Sequence, residues 1–243
     1  MARRDIFEEI SGFKEISFQG HDFKLPILYR RLDTFFAMFG ADYRAVSALL
    51  PSPRLKPIKV WPGRAAITLN AFNYLDTDIG PYGEFSVGVP CLLKHAGRRL
   101  LGVYVHRLPV TTEIAMAGGI GLWGYPKFLC DMKFENTAAE HLVTLTAGEQ
   151  LILELRVKKG GLSVDRAMNL GTFTVKDGEI VYTSLVTQGL ARVMPQGLAA
   201  LRTGPHEMGA ELAALSLGDR AIATGDFLDL RLVLPEGERV GEV

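Results

Sequence analysis

The stretch Thr172-Phe-Thr-Val-Lys-Asp-Gly-Glu-Ile-Val-Tyr182 leaves little freedom in how it can fold. Two alternating runs flank Asp177-Gly178, and that dipeptide supplies the positive φ angles a two-residue turn between antiparallel strands requires. A second hairpin starts at His141, turns at Ala147-Gly148-Glu149 and returns to Val157, with Leu151, Leu153, Leu155 and Val157 on one face. A third runs from Phe85 to Leu93, turns near His95-Ala96-Gly97 and returns from Leu100 to His106. Helical pattern is confined to connectors. Asp42 to Leu50 begins on an Asp cap and stops before Pro51, and Thr112 to Ala117 offers one short stretch.

Strand patterns extend from near residue 15 to the run Asp219 to Leu234, with no linker, repeat or low-complexity segment between them. Residues 1–243 therefore read as a single, mainly β (α+β) domain with a few short peripheral helices. Sheets of this kind close into a barrel or stack as a sandwich, because open edges invite aggregation. Hydrophobic residues at 48% and charged residues at 22% suit a sizeable core. Twenty-seven basic side chains balance twenty-seven acidic ones. No positive field gathers a phosphate backbone or an anionic membrane, so neither nucleic acid nor membrane is an expected partner. Met1 to Ile10 mixes charges with apolar residues, unlike a secretory signal, and no segment reaches the roughly 18 apolar residues of a membrane span. Cys91 and Cys130 lack C-x-x-C spacing and read as buried, inert thiols of a reduced, cytoplasmic protein.

Gly119-Ile-Gly-Leu-Trp-Gly124 formally matches a dinucleotide fingerprint, which needs a strand before it and a helix after it. Here a helical stretch precedes it, and Tyr125-Pro126 blocks a helix from following. The glycines read instead as a loop packed tightly by its backbone. Next comes Trp123-Gly-Tyr-Pro-Lys-Phe-Leu-Cys130, with one lysine among aromatic and aliphatic side chains. If Lys127 points inward, desolvation favours the neutral amine, a nucleophile toward carbonyls. If it points outward, it is a solvated loop charge. His21, His95, His106, His141 and His206 show no metal-ligand spacing, so no metal is expected. Neither a G-x-S-x-G elbow nor a P-loop occurs, which leaves acyl and phosphoryl transfer without support, and a lysine that attacks a carbonyl requires no cofactor.

Glu113-Ile-Ala-Met-Ala-Gly-Gly-Ile-Gly-Leu-Trp-Gly-Tyr-Pro-Lys127 resembles the segment that carries the Schiff-base lysine of the acetoacetate decarboxylases. Tyr82-Gly-Glu84 resembles the family's Tyr-x-Glu, and the likeness extends to Pro26 to Arg30 and to Asp226 to Val240. The resemblance implies a cone-shaped, closed or nearly closed antiparallel barrel and homo-oligomeric assembly. It implies a lyase in which Lys127 forms an imine with a small carbonyl compound or β-keto acid and Glu84 acts beside it. Tyr125, Trp123, Phe128 and Asn70 would line the pocket. Decarboxylation of an acetoacetate-like acid is the leading expectation, with aldol or dehydration chemistry on the same lysine, or ligand binding without catalysis, as alternatives. The sequence departs from the family at several positions. Phe128 stands in place of the second lysine, so activation would rest on desolvation. A family glutamate falls at Leu69, an arginine at Asp22, and Gly121 lies where an Arg-Glu pair ends. A substrate carboxylate would then need Lys24, Arg30 or Arg64.

Overall fold

The computed structural model describes residues 5–8, 10–218 and 220–243. Met1 to Arg4 and Glu9 of the N-terminal reading, and Asp219 of the last strand pattern, lie outside them. The chain begins with β1 (Lys14–Phe18), β2 (His21–Leu25), β3 (Ile27–Asp42) and α1 (Tyr43–Ala48). Next come β4 (Lys56–Pro57), β5 (Lys59–Trp61), β6 (Arg64–Thr77), β7 (Tyr82–His95), β8 (Arg98–Arg107) and α2 (Glu113–Gly118). After a π-helical turn (Gly119–Trp123) follow β9 (Asp131–Asn136), β10 (Glu140–Ala147), β11 (Gln150–Lys158), β12 (Leu162–Lys176) and β13 (Glu179–Pro195). The chain ends with β14 (Ala199–Thr203), α3 (Glu207–Ala214), β15 (Ala223–Leu234) and β16 (Glu238–Glu242).

Strand pairing runs β7-β8-β12-β13-β15-β3-β6 and returns from β6 to β7, a ring of seven strands. Six of its seams are antiparallel, and the seventh, β8 to β12, is parallel over Val103↔Thr172 and Tyr104↔Phe173. This corrects the expectation of antiparallel pairing throughout. Residues 108–161 separate the two strands and carry α2 and three strands, a crossover long enough to bring the chain back in the same direction. A second sheet, β14-β11-β10-β9, lies apart from the ring in hydrogen bonding.

The three hairpins form where the turn residues require. Asp177 and Gly178 adopt φ 52° and 79°, and Ala96 and Gly97 adopt 46° and 76°. In the β10–β11 hairpin the register shifts between Leu145 and Thr146. Leu153, Leu155 and Val157 join the core as the alternation predicts, but Ile152 is buried beside them while Leu151 is only half-buried. α1 starts where expected, with the Asp42 carboxylate accepting from the Arg44 and Ala45 N–H groups. α3 has no counterpart in the sequence reading, and part of the glycine loop is a π-helical turn, a rare geometry that occurs mostly as single turns.

Alternation separates the two larger of three core clusters among the described residues. Phe35, Phe39, Ile67, Leu69, Phe85 and Val87 of the ring pack against Val143, Leu145, Leu153 and Leu155 of the second sheet and against Met208 and Leu212 of α3. Each such side chain contributes about 1.5–3 kcal/mol when fully buried. The opposite face of the same strands carries Tyr29, Tyr74 and Tyr82, which meet Phe23, Trp123, Tyr125, Leu232 and Leu234. A sequence step of one residue thus decides which cluster a side chain enters.

Candidate active site

Two adjoining backbone segments bring Lys127 to β7. The Phe85 N–H donates to the Pro109 carbonyl and the Thr111 N–H to that of Gly83, which lays residues 109–111 along β7. Val110 N–H in turn donates to the Phe128 carbonyl, and Cys130 N–H to that of Val110, so residues 128–130 lie along 109–111. Gly124, at φ 69°, ends the π-helical turn, and the Lys127 N–H closes a tight turn on the Tyr125 carbonyl at 2.8 Å. Gly124 has to be glycine, because a Cβ there would meet the Val175 carbonyl oxygen at 2.3 Å.

Lys127 then reaches back across the π-helical turn. Its Nζ donates to Glu84 Oε2 at 2.7 Å, with the two side chains only 6% and 8% exposed. Glu84 Oε1 accepts from the Tyr74 hydroxyl at 3.0 Å. The Tyr82 and Tyr125 rings lie 5.6 Å and 5.8 Å from Nζ, within cation–π range. Tyr125 shares a hydrogen bond of 2.9 Å with Thr172, and the Tyr29 and Tyr82 hydroxyls lie 3.3 Å apart. Burial pushes all four phenols above their ordinary value, and the Glu84 charge pushes them further. They act as neutral hydrogen-bonding groups. Burial also raises the Cys91 and Cys130 thiols to about 12.

Gly119 leaves the space for this arrangement. A Cβ at that position would lie 2.4 Å from Lys127 Cε and 2.5 Å from its Cδ. Gly121, at the corresponding point of the family's Arg-Glu pair, lies beneath the Phe18 ring of β1.

The other residues singled out from the sequence divide. Trp123 is buried behind Tyr125, ring centroids 6.2 Å apart, and its indole N–H donates to the Pro235 carbonyl at 2.8 Å. Asn70 shares the face of β6 that carries Phe72 and Tyr74 and pairs with Ser86, one step along the sheet from the Phe72–Glu84 pair. Its Oδ1 accepts from Thr68. Phe128 does not join them. It packs on the opposite core and stacks on His206 at 5.8 Å, because the extended chain sends neighbouring side chains to opposite sides. The surroundings of Lys127 are therefore the Glu84 carboxylate and tyrosines, without the apolar surface that Phe128 was expected to add.

The charges considered for a substrate carboxylate lie elsewhere. Lys24 pairs with Glu15, Arg30 with Asp78, and Arg64 donates to the Gly40 and Ser216 carbonyls. Leu69 is buried in the core beside the second sheet, and Asp22 bonds Ser17. His106 is held by Glu211 at 2.8 Å. Sequence reasoning missed the roles of Tyr74 and Tyr29. The β6–β7 register, which pairs Tyr74 with Tyr82, was the signal that could have placed Tyr74 beside Glu84.

A sequence model described as Acetoacetate decarboxylase (ADC) matches residues 20–228. The chain belongs to the acetoacetate decarboxylase family. Among solved structures, acetoacetate decarboxylase from Legionella pneumophila subsp. pneumophila str. Philadelphia 1 is 18% identical, with 89% of this chain and 88% of that one covered at TM-score 0.71. A second acetoacetate decarboxylase is 19% identical over 89% and 90%, at TM-score 0.70. The enduracididine biosynthesis enzyme MppR, in complex with pyruvate, is 17% identical over 89% and 91%, at TM-score 0.62. At these identities the structures establish a shared fold. A search of curated protein sequences gave no match.

Proposed function

We propose that this family member is a lyase in which Lys127 condenses with the carbonyl of a small β-keto acid. One observation carries the reading: the hydrogen bond of 2.7 Å between Lys127 Nζ and the Glu84 carboxylate, both nearly closed off from solvent. Transfer of one proton along that bond turns an ion pair into an amine and a carboxylic acid with no change in total charge. The amine then attacks the carbonyl carbon as the C=O electron pair moves to oxygen, and the Glu84 proton completes the carbinolamine. Loss of that oxygen as water leaves a protonated imine between the Tyr82 and Tyr125 rings. The iminium draws in the electron pair released when the bond to carbon dioxide breaks, and hydrolysis of the resulting enamine, after protonation, returns Lys127.

Aldol or dehydration chemistry on the same iminium is the second reading, favoured by one observation. Phe128 faces away, and Lys24, Arg30 and Arg64 are all engaged elsewhere, so none of the charges considered meets a substrate carboxylate. Carbon dioxide release from acetoacetate and longer β-keto acids, measured with wild type and Lys127→Ala, tests the first. Release lost in the variant supports decarboxylation. No release, together with deuterium exchange at the α carbon of pyruvate, supports the second. Absence of both would point to a chain that binds without catalysis.

A further inference from the structure

Glu84 can serve Lys127 only if its carboxylate is held in one orientation, and β6 contains the means. Tyr74 pairs across the sheet with Tyr82 and Phe72 with Glu84, so Tyr74 and Glu84 are diagonal neighbours on one face, within reach of a long side chain. The Tyr74 hydroxyl donates to Glu84 Oε1 at 3.0 Å, and Lys127 takes the other oxygen. The tyrosine ring is itself fixed on three sides. Tyr82 stacks on it at 4.4 Å, Tyr29 lies tilted at 4.8 Å, and Phe72 stacks at 5.8 Å. The Tyr29–Tyr82 hydroxyl pair ties two of those three rings together. Tyr74 is 5% exposed, so water has little access to replace its hydroxyl.

We infer that Tyr74 is a positioning residue: its hydroxyl holds one oxygen of Glu84 so that the other faces Lys127 Nζ, and it sets the rate of imine formation without touching the substrate. This rests on the imine reading of Lys127. Burial and the Glu84 charge push the Tyr74 phenol well above its ordinary value, so the hydroxyl remains a donor throughout the neutral range. Without that donor the buried carboxylate has a free oxygen and can rotate away from the amine, a change in geometry rather than in substrate affinity.

The test uses pentane-2,4-dione as an amine probe on the full chain. The Lys127 amine attacks one carbonyl, that oxygen leaves as water, and the product settles as an enaminone with near-ultraviolet absorbance. Rates are measured against probe concentration for wild type, Tyr74→Phe, Glu84→Gln and the double variant. Phenylalanine keeps the ring and its stacking, and a thermal melt checks that the fold persists. Tyr74→Phe is expected to lower the limiting rate roughly tenfold to a hundredfold, the cost of one hydrogen bond to a charged group. The half-saturating probe concentration should stay unchanged, and the substitution should have no further effect in the Glu84→Gln background. A wild-type limiting rate in Tyr74→Phe, or an equal loss in both backgrounds, overturns the inference. A wild-type chain that the probe leaves unlabelled at Lys127 overturns the imine reading itself, and this inference with it.

Discussion

Replacing Gly119 with alanine should disable Lys127 while leaving the fold intact. The added Cβ would stand 2.4 Å from Lys127 Cε, 2.5 Å from Cδ and 3.1 Å from Nζ. Carbon atoms rest at about 3.5–4.0 Å, so the lysine side chain must move by about 1 Å or more. Its Nζ starts at 2.7 Å from Glu84 Oε2, and such a shift takes it outside hydrogen-bonding range. A misplacement of about 1 Å costs about 100-fold in rate. Because the clash falls on the flexible end of a side chain, the backbone need not yield. Removing a glycine from a helical turn favours folding by up to about 1 kcal/mol, which offsets part of the strain. The assay is borohydride trapping with acetoacetate, followed over time, beside a thermal melt. Gly12→Ala is the control, since a Cβ there meets nothing within 4 Å. Gly119→Ala protein that melts normally and is trapped as fast as wild type would refute the argument that this glycine makes room for the lysine.

Three further outcomes follow from the same geometry. Phe128→Lys, which restores the family's lysine pair in sequence, should fail to speed trapping and should lower the melting temperature, because position 128 points into the core shared with the second sheet. Burial pushes the Asp226 carboxyl up, but hydrogen bonds from His141 and from Nε and Nη2 of Arg192 outweigh it and hold the group below its ordinary value. A lowered folded value means stability present above the unfolded value near 3.9 and lost as pH falls through the folded one. Asp226→Asn should therefore cost about 3 kcal/mol in urea unfolding at pH 7, and the gap to wild type should narrow as the pH drops below 4. Cys91 and Cys130, buried and raised to about 12, should resist iodoacetamide at pH 8 in the native chain and both react in urea.

What could be read from the sequence was what depends on local chemistry. Asp177-Gly178 and Ala96-Gly97 fixed two hairpins, because few residues tolerate the φ angles involved. Asp42 announced α1 through its side chain, and Lys127 and Glu84 stood out through motif likeness. What escaped depends on distant contacts. The parallel seam between β8 and β12 exists only because the chain returns after residues 108–161. α3 is short and is anchored largely from outside, by Arg107 and His106 on Glu211 and Glu207. That Phe128 packs on the opposite core could have been inferred from alternation once Lys127 was placed beside Glu84, yet adjacency to the lysine suggested a shared pocket. Tyr74 was invisible without the register of β6 on β7, although its hydroxyl bonds Glu84 directly, whereas Asn70, which the family resemblance suggested, bonds Thr68.

The central claim is that Lys127 forms an imine. Incubation of wild type with acetoacetate, pyruvate and longer β-keto acids, borohydride reduction and peptide mass spectrometry address it most directly. The account predicts added mass on the peptide containing Lys127 and none on that region in Lys127→Ala. An unmodified Lys127 across the whole panel, in protein that melts cooperatively, would contradict it.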